Sequence, residues 1–417
     1  MPLSQSAAEV SAAQAAVRAA IRQAGEGGIA IAVSGGSDSL ALLHLAHAAP
    51  AGAMLHAVTV DHGLRAESAD EAARVAAICK GLGVPHATLR WQGWEGQGNL
   101  QAEARDARYR LMAEWARDRG IGTILLGHTR DDQAETVLMR LARSAGVDGL
   151  SGMAGRFRRN DMTWCRPLLE TDRATLRTYL RGMGAAWIDD PSNDDSRFER
   201  VRARAALRAL APLGIDAATL ARVARHMGEA RDALDACAAE VARGTVRQDA
   251  GDLLLDWARL SAHPLELRRR ILVAALVWVA SATYPPRRED VLSLLDESGM
   301  EGQRTLMGCV LRKERGGLRI LREFNAVRET RSATDAVWDG RWRLEGPHDP
   351  ALCVAALGEA GLRLCPDWRD TGRARASLLA SPAVWRGDSL VAAPLAGWGQ
   401  GWIARIVADF HDRALSH

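Results

Sequence analysis

The chain has almost no lysine. Lys80 and Lys313 are the only two among 417 residues, so nearly all of the 54 basic side chains are arginine. A GC-rich coding bias produces that skew without any functional demand, so arginine richness carries little weight, although the planar guanidinium fork does suit phosphate. A net charge of only +3 does not by itself declare a polyanionic partner. Cysteines stand at 79, 165, 237, 309, 353 and 365 with no C-x-x-C pair. That spacing argues against a zinc ribbon, a cysteine-held cluster and a secreted disulfide framework, and it fits a reducing cytosol. No stretch reaches the roughly 18 to 20 apolar residues of a membrane span, the longest candidate being Ile271 to Ala282. The opening MPLSQSAAEVSAAQ lacks a basic n-region with an apolar core. The expectation is a cytoplasmic protein with no membrane partner. Its 47% hydrophobic and 25% charged residues predict a globular chain of two or three domains.

Ile29 to Ser39, IAIAVSGGSDS, is the most informative stretch. An apolar run over Ile29 to Val33 predicts a buried strand, and Leu40 to Leu45 predicts the first part of a helix. Gly35 and Gly36 let backbone approach a ligand, and the helix start presents unpaired N–H groups and a positive dipole end. Ser34, Ser37 and Ser39 add hydroxyl groups. This is an anion site, yet no lysine follows, so the Walker pattern is absent. Asp38 beside a phosphate cradle makes sense as a Mg²⁺ ligand, whereas facing bare phosphate it would repel. The plainer alternative is a Gly-Gly turn with an ordinary early-helix acid.

Further strands are expected at Met54 to Val60, Pro85 to Trp91 and Thr123 to Leu126, and helices at Ser11 to Arg22, Glu67 to Leu82 and Asn99 to Arg119. Strands alternating with helices of at least ten residues predict an α/β fold with a doubly wound parallel sheet. Such sheets bind ligands beyond the strand carboxyl ends. Asp61-His62-Gly63 and Gly127-His128-Thr129 fall at those ends with the loop, so Asp61, His62, Gly127 and His128 join it as candidate residues of the same anion site.

In Thr129-Arg-Asp-Asp-Gln-Ala-Glu-Thr136, Thr129 caps a helix, and the acids either complement its dipole or complete a magnesium site with Asp38. Asp131 and Glu135 share a face at i, i+4 while Asp132 points about 100° away. Asp132 is the preferred metal ligand over Asp131. Arg105 and Arg108 lie one turn apart beside an apolar stripe, either solvated or functional. Arg200, Arg202 and Arg204 form a basic strip that is either a solvated face or a phosphate-binding surface. The Asp189 to Asp194 segment, DDPSND, marks a tight polar turn.

From the Ala211-Pro212 break, helices at Leu220 to Ala242, Pro264 to Ala280 and Arg288 to Leu295 dominate. Short strands are expected at Leu253 to Leu255, Arg304 to Leu311 and Leu318 to Leu321. Arg268-Arg-Arg270 either touches nucleic acid or lines the surface. Residues 322 to 340 read as a polar linker, and the remainder as a small α+β domain whose tryptophans are core. The expected organisation is one domain over 1–210 that carries the anion loop, a mostly helical domain over 211–325 and a small C-terminal domain over 340–417.

The Ser34 to Ser39 motif resembles the pyrophosphatase loop of the N-type ATP pyrophosphatases, which adenylate a carbonyl oxygen and release pyrophosphate. Taken with VDHGLRAES, ARDARY, GHTRDDQAETVLMRLAR, GLSGM, RPLL and DDPSNDD in that order, residues 29 to 208 resemble the bacterial tRNA(Ile)-lysidine synthetases. The resemblance implies adenylation of the C2 carbonyl oxygen of the wobble cytidine in a CAU-anticodon tRNA(Ile), followed by displacement of AMP by free L-lysine. It implies ATP and Mg²⁺, with Asp38 and Asp132 on the metal and Arg105 where charge develops around the α-phosphate or cytidine. A homodimer is compatible with it. Two departures stand out: Thr129 where a second histidine is common, and Arg200 to Arg204 reading RVRAR where Arg-Asn-Arg-Ile-Arg is common. The alternatives are a related tRNA-modifying enzyme with an ammonia or a sulfur nucleophile, the sulfur case being disfavoured by the missing cysteine pair, and a non-catalytic tRNA-binding protein, which Asp38 and Asp132 disfavour.

Overall fold

The computed structural model describes residues 2–25, 27–49, 54–63, 67–92, 100–189, 197, 199–296 and 302–413. The polar turn expected around Asp190 to Asp194, Leu64 to Ala66 of the second motif, and Phe198 lie outside the described residues. The chain divides into two compact units, Met1–Arg231 and Asp232–His417.

The first unit is built on a six-stranded sheet in the order β3-β2-β1-β4-β6-β5. Its strands are β1 (Gly28–Ala32), β2 (Leu55–Asp61), β3 (His86–Arg90), β4 (Ile121–Leu126), β5 (Arg156–Arg159) and β6 (Met162–Cys165). The helices are α1 (Pro2–Gln23), α2 (Ser37–His47), α3 (Ser68–Gly81), α4 (Leu100–Arg117), α5 (Arg130–Leu141), α6 (Val147–Leu150), α7 (Arg173–Gly182), α8 (Glu199–Leu210) and α9 (Ala217–Thr245), the last of which contains the division between the units. All neighbours are parallel except β5, which pairs antiparallel with β6.

Period-two alternation sorts the strand side chains onto two faces. Ile29, Ile31 and Val33 join Leu125 in a core with α1, α2, α3 and α7. Ala30 and Ala32 face the other way with Ile124 and Leu126, against Tyr109, Met112, Ala113 and Ala116 of α4. The sheet is therefore wound on both faces. Helix α2 is apolar nearly all round, with Leu40, Ala41, Leu42, Leu43, Leu45 and Ala46 buried, and such a helix must be enclosed. Its enclosure fixes the first turn, which carries Asp38.

Sequence reasoning missed the β5–β6 hairpin. Its two-residue turn is Asn160-Asp161, both at positive φ (53° and 57°), the conformation that Asn and Asp tolerate best after glycine. The hairpin returns the chain to the sheet beside β4, so residues 156–165 extend the sheet. The packing of this unit also continues past Ala211-Pro212: Leu220 and Ala224 of α9 close over Ala134 and Val137 of α5. Cutting the chain near residue 210 therefore opens an apolar face, contrary to what the Ala-Pro break suggests.

The second unit holds one five-stranded antiparallel sheet in the order β7-β8-β11-β10-β9, in which β7 is unexpected and the expected strand over Arg304 to Leu311 is split by a turn at Met307-Gly308 into two antiparallel strands. The five strands are β7 (Val246–Asp249), β8 (Asp252–Leu255), β9 (Gln303–Leu306), β10 (Cys309–Glu314) and β11 (Gly317–Arg322). They share a core with α11 (Leu265–Ala280), which follows the short α10 (Trp257–Ser261), and with α12 (Arg288–Leu295). Arg269 and Arg270 are buried in this unit and are not a surface feature. Arg270 donates to Asp235 at 2.5 Å and Arg269 to Glu266 at 2.8 Å.

Residues 322–340 are folded and do not form a linker. They contain α13 (Phe324–Val327) and β12 (Arg331–Ala333), which pairs with a strand at Cys353–Ala356. Val327 and Trp338 are fully buried, alongside Trp342 and Trp402. Local polarity hid this because few anchors suffice when one is a tryptophan. Trp338→Ala should destabilise the second unit by about 3–5 kcal/mol, read from its denaturant midpoint. A change within about 0.5 kcal/mol, as for a surface substitution, would restore the linker reading.

Candidate active site

Strand order reverses at β1: β2 and β3 lie to one side and β4 to the other. A crevice opens beyond the carboxyl ends at such a reversal. The loop after β1 and the Gly127-His128-Thr129 turn after β4 both leave the sheet there.

The loop is held by its own serines. Ser39 Oγ accepts from the Ser34 N–H at 3.1 Å and donates to Gly36 O at 3.0 Å. Gly35 has φ +88°, and a Cβ on it would lie 2.7 Å from Ile188 Cδ1. Gly36 is the N-cap of α2, and a Cβ there would meet only Ser34 Oγ, at 3.8 Å, so space adjoins the first turn. Gly127 serves a different purpose from the one sequence suggested. A Cβ on it would come within 3.0 Å of the Asp38 and Ser39 backbone, so glycine is what lets β4 end against the start of α2.

Three helix N-termini bring charged groups together. Thr129 caps α5 and forms a capping box with Asp132: the Thr129 N–H donates to Asp132 Oδ2 at 2.8 Å. Asp131 accepts from the Arg173 backbone N–H at 2.8 Å, so its carboxylate caps α7. Asp172 caps the same helix through the Thr175 N–H and pairs with Arg130 at 2.6 Å. With Asp131 spent in this way, Asp132 is the acid turned to the crevice. Glu135, three residues on, shares its side. The expected grouping of Glu135 with Asp131 does not occur, because i, i+3 residues also face together.

The centre of the group is Arg173, which sequence reasoning passed over. Its Nε donates to Asp38 Oδ2 at 2.7 Å, its Nη2 to Asp132 Oδ1 at 3.3 Å, and its Nη1 lies 4.0 Å from Glu135 Oε1. Glu135 is fully buried and accepts from Arg204 Nε at 2.6 Å, while its Oε2 has no partner among the described residues. A signal for Arg173 existed. It occupies the first position of a helix whose first turn holds no acid, where a cation opposes the dipole by about 0.3–1 kcal/mol. A residue held against that bias has a partner elsewhere.

Burial pushes the Asp38 pKa up, and Arg173 offsets this only in part. For Asp132, burial also opposes ionisation, but Arg173 and the Thr129 N–H outweigh it and the pKa falls. Burial raises Glu135 despite Arg204. Burial holds His128 down at about 3, with Arg166, Arg108 and Arg200 reinforcing it, so the imidazole is neutral. Its Nδ1 is buried without a partner among the described residues, as is that of His62.

The remaining cations form a second group. Arg108, Arg105 and Arg200 interact electrostatically, and Arg108 and Arg200 also act on His128. None of the three has a carboxylate within ion-pair distance among the described residues. Burial lowers the pKa of Arg108 and of Arg166, whose guanidinium lies over Phe157. Arg105 is exposed above Tyr109, with its guanidinium carbon 5.4 Å from the ring centre, and no contact joins it to Asp38. The basic strip on α8 divides: Arg200 and Arg204 turn toward these groups, while Arg202 is exposed and donates to Arg197 O. Asp61 is buried, with its carboxylate accepting from the Gly63 N–H at 2.9 Å, and Ser68 adds to the lowering of its pKa. Ser37 Oγ donates to Asp38 Oδ1 at 3.0 Å.

A parallel sheet reversing at a serine- and glycine-rich loop with no P-loop lysine defines a class, the PP-loop ATP-binding enzymes, and the family model described as a PP-loop domain matches residues 9–210. Curated relatives narrow the class. A tRNA(Ile)-lysidine synthase of Ruegeria pomeroyi is 50% identical over 394 residues, covering 93% of this chain and 94% of that protein. The synthase of Mesorhizobium japonicum is 39% identical, covering 86% and 82%, and that of Bradyrhizobium diazoefficiens 42% identical, covering 60% and 72%. The chain belongs to the tRNA(Ile)-lysidine synthase family.

The loop is also braced from the sheet. Thr59 Oγ1 donates to Val33 O at 2.8 Å, which commits its hydrogen, so at 2.9 Å it must accept from His86 Nε2–H. Burial lowers the His86 pKa below the usual 6.5. Below about pH 6.5 the unfolded chain therefore takes up a proton there before the folded one, and stability is lost as pH falls. His86→Gln should reduce the drop in melting temperature between about pH 7.5 and about pH 5.5. An unaltered drop would show that His86 does not contribute.

Proposed function

We propose that this chain joins L-lysine to C2 of the wobble cytidine of a CAU-anticodon tRNA(Ile), consuming ATP and releasing AMP and pyrophosphate through an adenylated cytidine. The observation that carries the reading is the placement of Asp38 and Asp132 on one cation at the reversal point, beside the serine-glycine loop. ATP is the energy source of this PP-loop enzyme, and no described helix is long and apolar enough to cross a membrane. We place the reaction in the cytoplasm.

The loop amides at the start of α2, with Ser34, Ser37 and Ser39, bind the polyphosphate, and space beside Gly36 admits it. His62 and His128 offer buried nitrogens to the nucleotide, and Asp61 shapes the turn that presents His62. Two carboxylates converging on one cation fit magnesium, which takes one or two carboxylates and completes its shell with phosphate and water. Asp38 and Asp132 would hold it, and it would neutralise charge on the departing pyrophosphate. The arginines without a carboxylate partner supply the rest: Arg105, with Arg108 and Arg166, stabilises charge at the α-phosphate or on the cytidine oxygen. Arg200 and Arg202 hold tRNA phosphate, and Arg204 fixes Glu135. Residues 1–210 carry the ATP chemistry, and 211–325 and 340–417 grip the tRNA.

Asp38→Asn should abolish tRNA-dependent pyrophosphate release while leaving the circular dichroism spectrum intact, since an amide keeps the shape and loses the charge. Near-normal release by a folded variant removes Asp38 from the chemistry. Arg200→Ala with Arg202→Ala should weaken tRNA binding and lower its log–log salt slope by about 0.7 to 0.9 for each phosphate no longer neutralised. An unchanged slope returns both to a solvated face.

A further inference from the structure

The two carboxylates assigned to magnesium already hold a cation. Each has one oxygen fixed by its own loop: Asp38 Oδ1 accepts from Ser37 Oγ, and Asp132 Oδ2 from the Thr129 N–H and Oγ. The free oxygens, Asp38 Oδ2 and Asp132 Oδ1, are the two that Arg173 occupies, at 2.7 and 3.3 Å. A metal using both carboxylates needs the same two oxygens. Guanidinium and divalent cation therefore exclude one another there.

We propose that Arg173 is the resident cation of the ATP-free enzyme, holding Asp38 and Asp132 in place and yielding them only to a divalent cation that arrives with ATP. The inference rests on the reading of this acid pair as the metal site. Arginine suits the task because it remains charged at every physiological pH and its fork spans two carboxylates. Without a cation, Asp38, Asp132 and the buried Glu135 would place like charges together, and the Asp132 charge already raises the pKa of both Asp38 and Glu135. The backbone of Arg173 is anchored by Asp131, so the exchange needs side-chain rotation alone. Glu135 Oε1 lies 4.0 Å from Nη1, and its Oε2 is unpartnered, so an acceptor adjoins the displaced guanidinium. The consequence is ordered loading: metal alone competes poorly with a tethered guanidinium, whereas metal bound to ATP gains the loop contacts as well.

Titration of the full-length protein with Mn²⁺, following free Mn²⁺ by electron paramagnetic resonance without ATP, tests this. Wild type should bind weakly, and Arg173→Ala and Arg173→Met should each bind one Mn²⁺ at least about tenfold more tightly, a coupling of ordinary size between competing cations. Adding Asp132→Asn to either variant should remove the gain. Arg173→Lys, which keeps the charge, should stay near wild type. The two Arg173 variants bracket loss of packing, since methionine retains the stem. Equal Mn²⁺ affinity of wild type and both variants overturns the proposal. A parallel titration with ATP separates the two readings: if Asp38→Asn binds Mn²⁺ with ATP as wild type does, the metal assignment fails and this inference with it. Loss of that binding in Asp38→Asn, with no gain in the Arg173 variants, overturns the resident-cation role alone.

Discussion

Two ionised carboxylates brought into one crevice from helices on either side of a sheet reversal repel one another unless a cation lies between them. In this chain the cation is Arg173, and the surrounding structure is arranged to permit that meeting. Helix α2 is enclosed by apolar residues, so Asp38 cannot drift. Gly127 lets β4 end against the backbone of Asp38 and Ser39. The capping box at Thr129 directs Asp132 inward, and Asp131 seats α7 so that its first residue delivers the guanidinium. Substitutions at these positions should behave as one unit, because removing one partner of a buried pair leaves the other charge uncompensated.

Charge in the first unit is divided between the acids gathered on Arg173 and the group of Arg105, Arg108 and Arg200, which has no carboxylate partner among the described residues. His128 interacts with both groups and is kept neutral by burial. A site of this kind is prepared for a substrate that brings negative charge to the arginines and a cation to the acids. Under the proposed function, nucleotide with its metal, followed by an anticodon loop, would meet both requirements.

Much of the first unit was legible because its signals are local. The apolar run before Ser34, the glycine pair and the alternation of strands with long helices specify a loop at the end of a central parallel strand. His62 and His128 stand out by their places at strand ends, and Asp38 and Asp132 by their places in the first turns of the helices that follow. What stayed hidden depends on tertiary partners. Arg173 is one arginine among many until the structure shows three acids around it. Asp131 and Asp132 differ only in which helix each one serves. The β5–β6 hairpin turns on Asn160-Asp161, a pair weaker than Asn-Gly as a turn signal, and residues 322–340 are polar apart from the few side chains that anchor them. Departures at Thr129 and at Arg200 to Arg204 acquire physical meaning here: Thr129 acts as a cap, and the α8 arginines divide between the two charged groups.

The central claim is chemical, that this chain makes lysidine at the wobble cytidine. Mass spectrometry of that nucleoside, after incubating purified protein with unmodified CAU-anticodon tRNA(Ile), ATP and L-lysine, tests it directly. The account predicts a cytidine carrying one lysine joined with loss of water, formed only when ATP and lysine are both present. An unmodified cytidine, or a sulfur or ammonia adduct in its place, would contradict it.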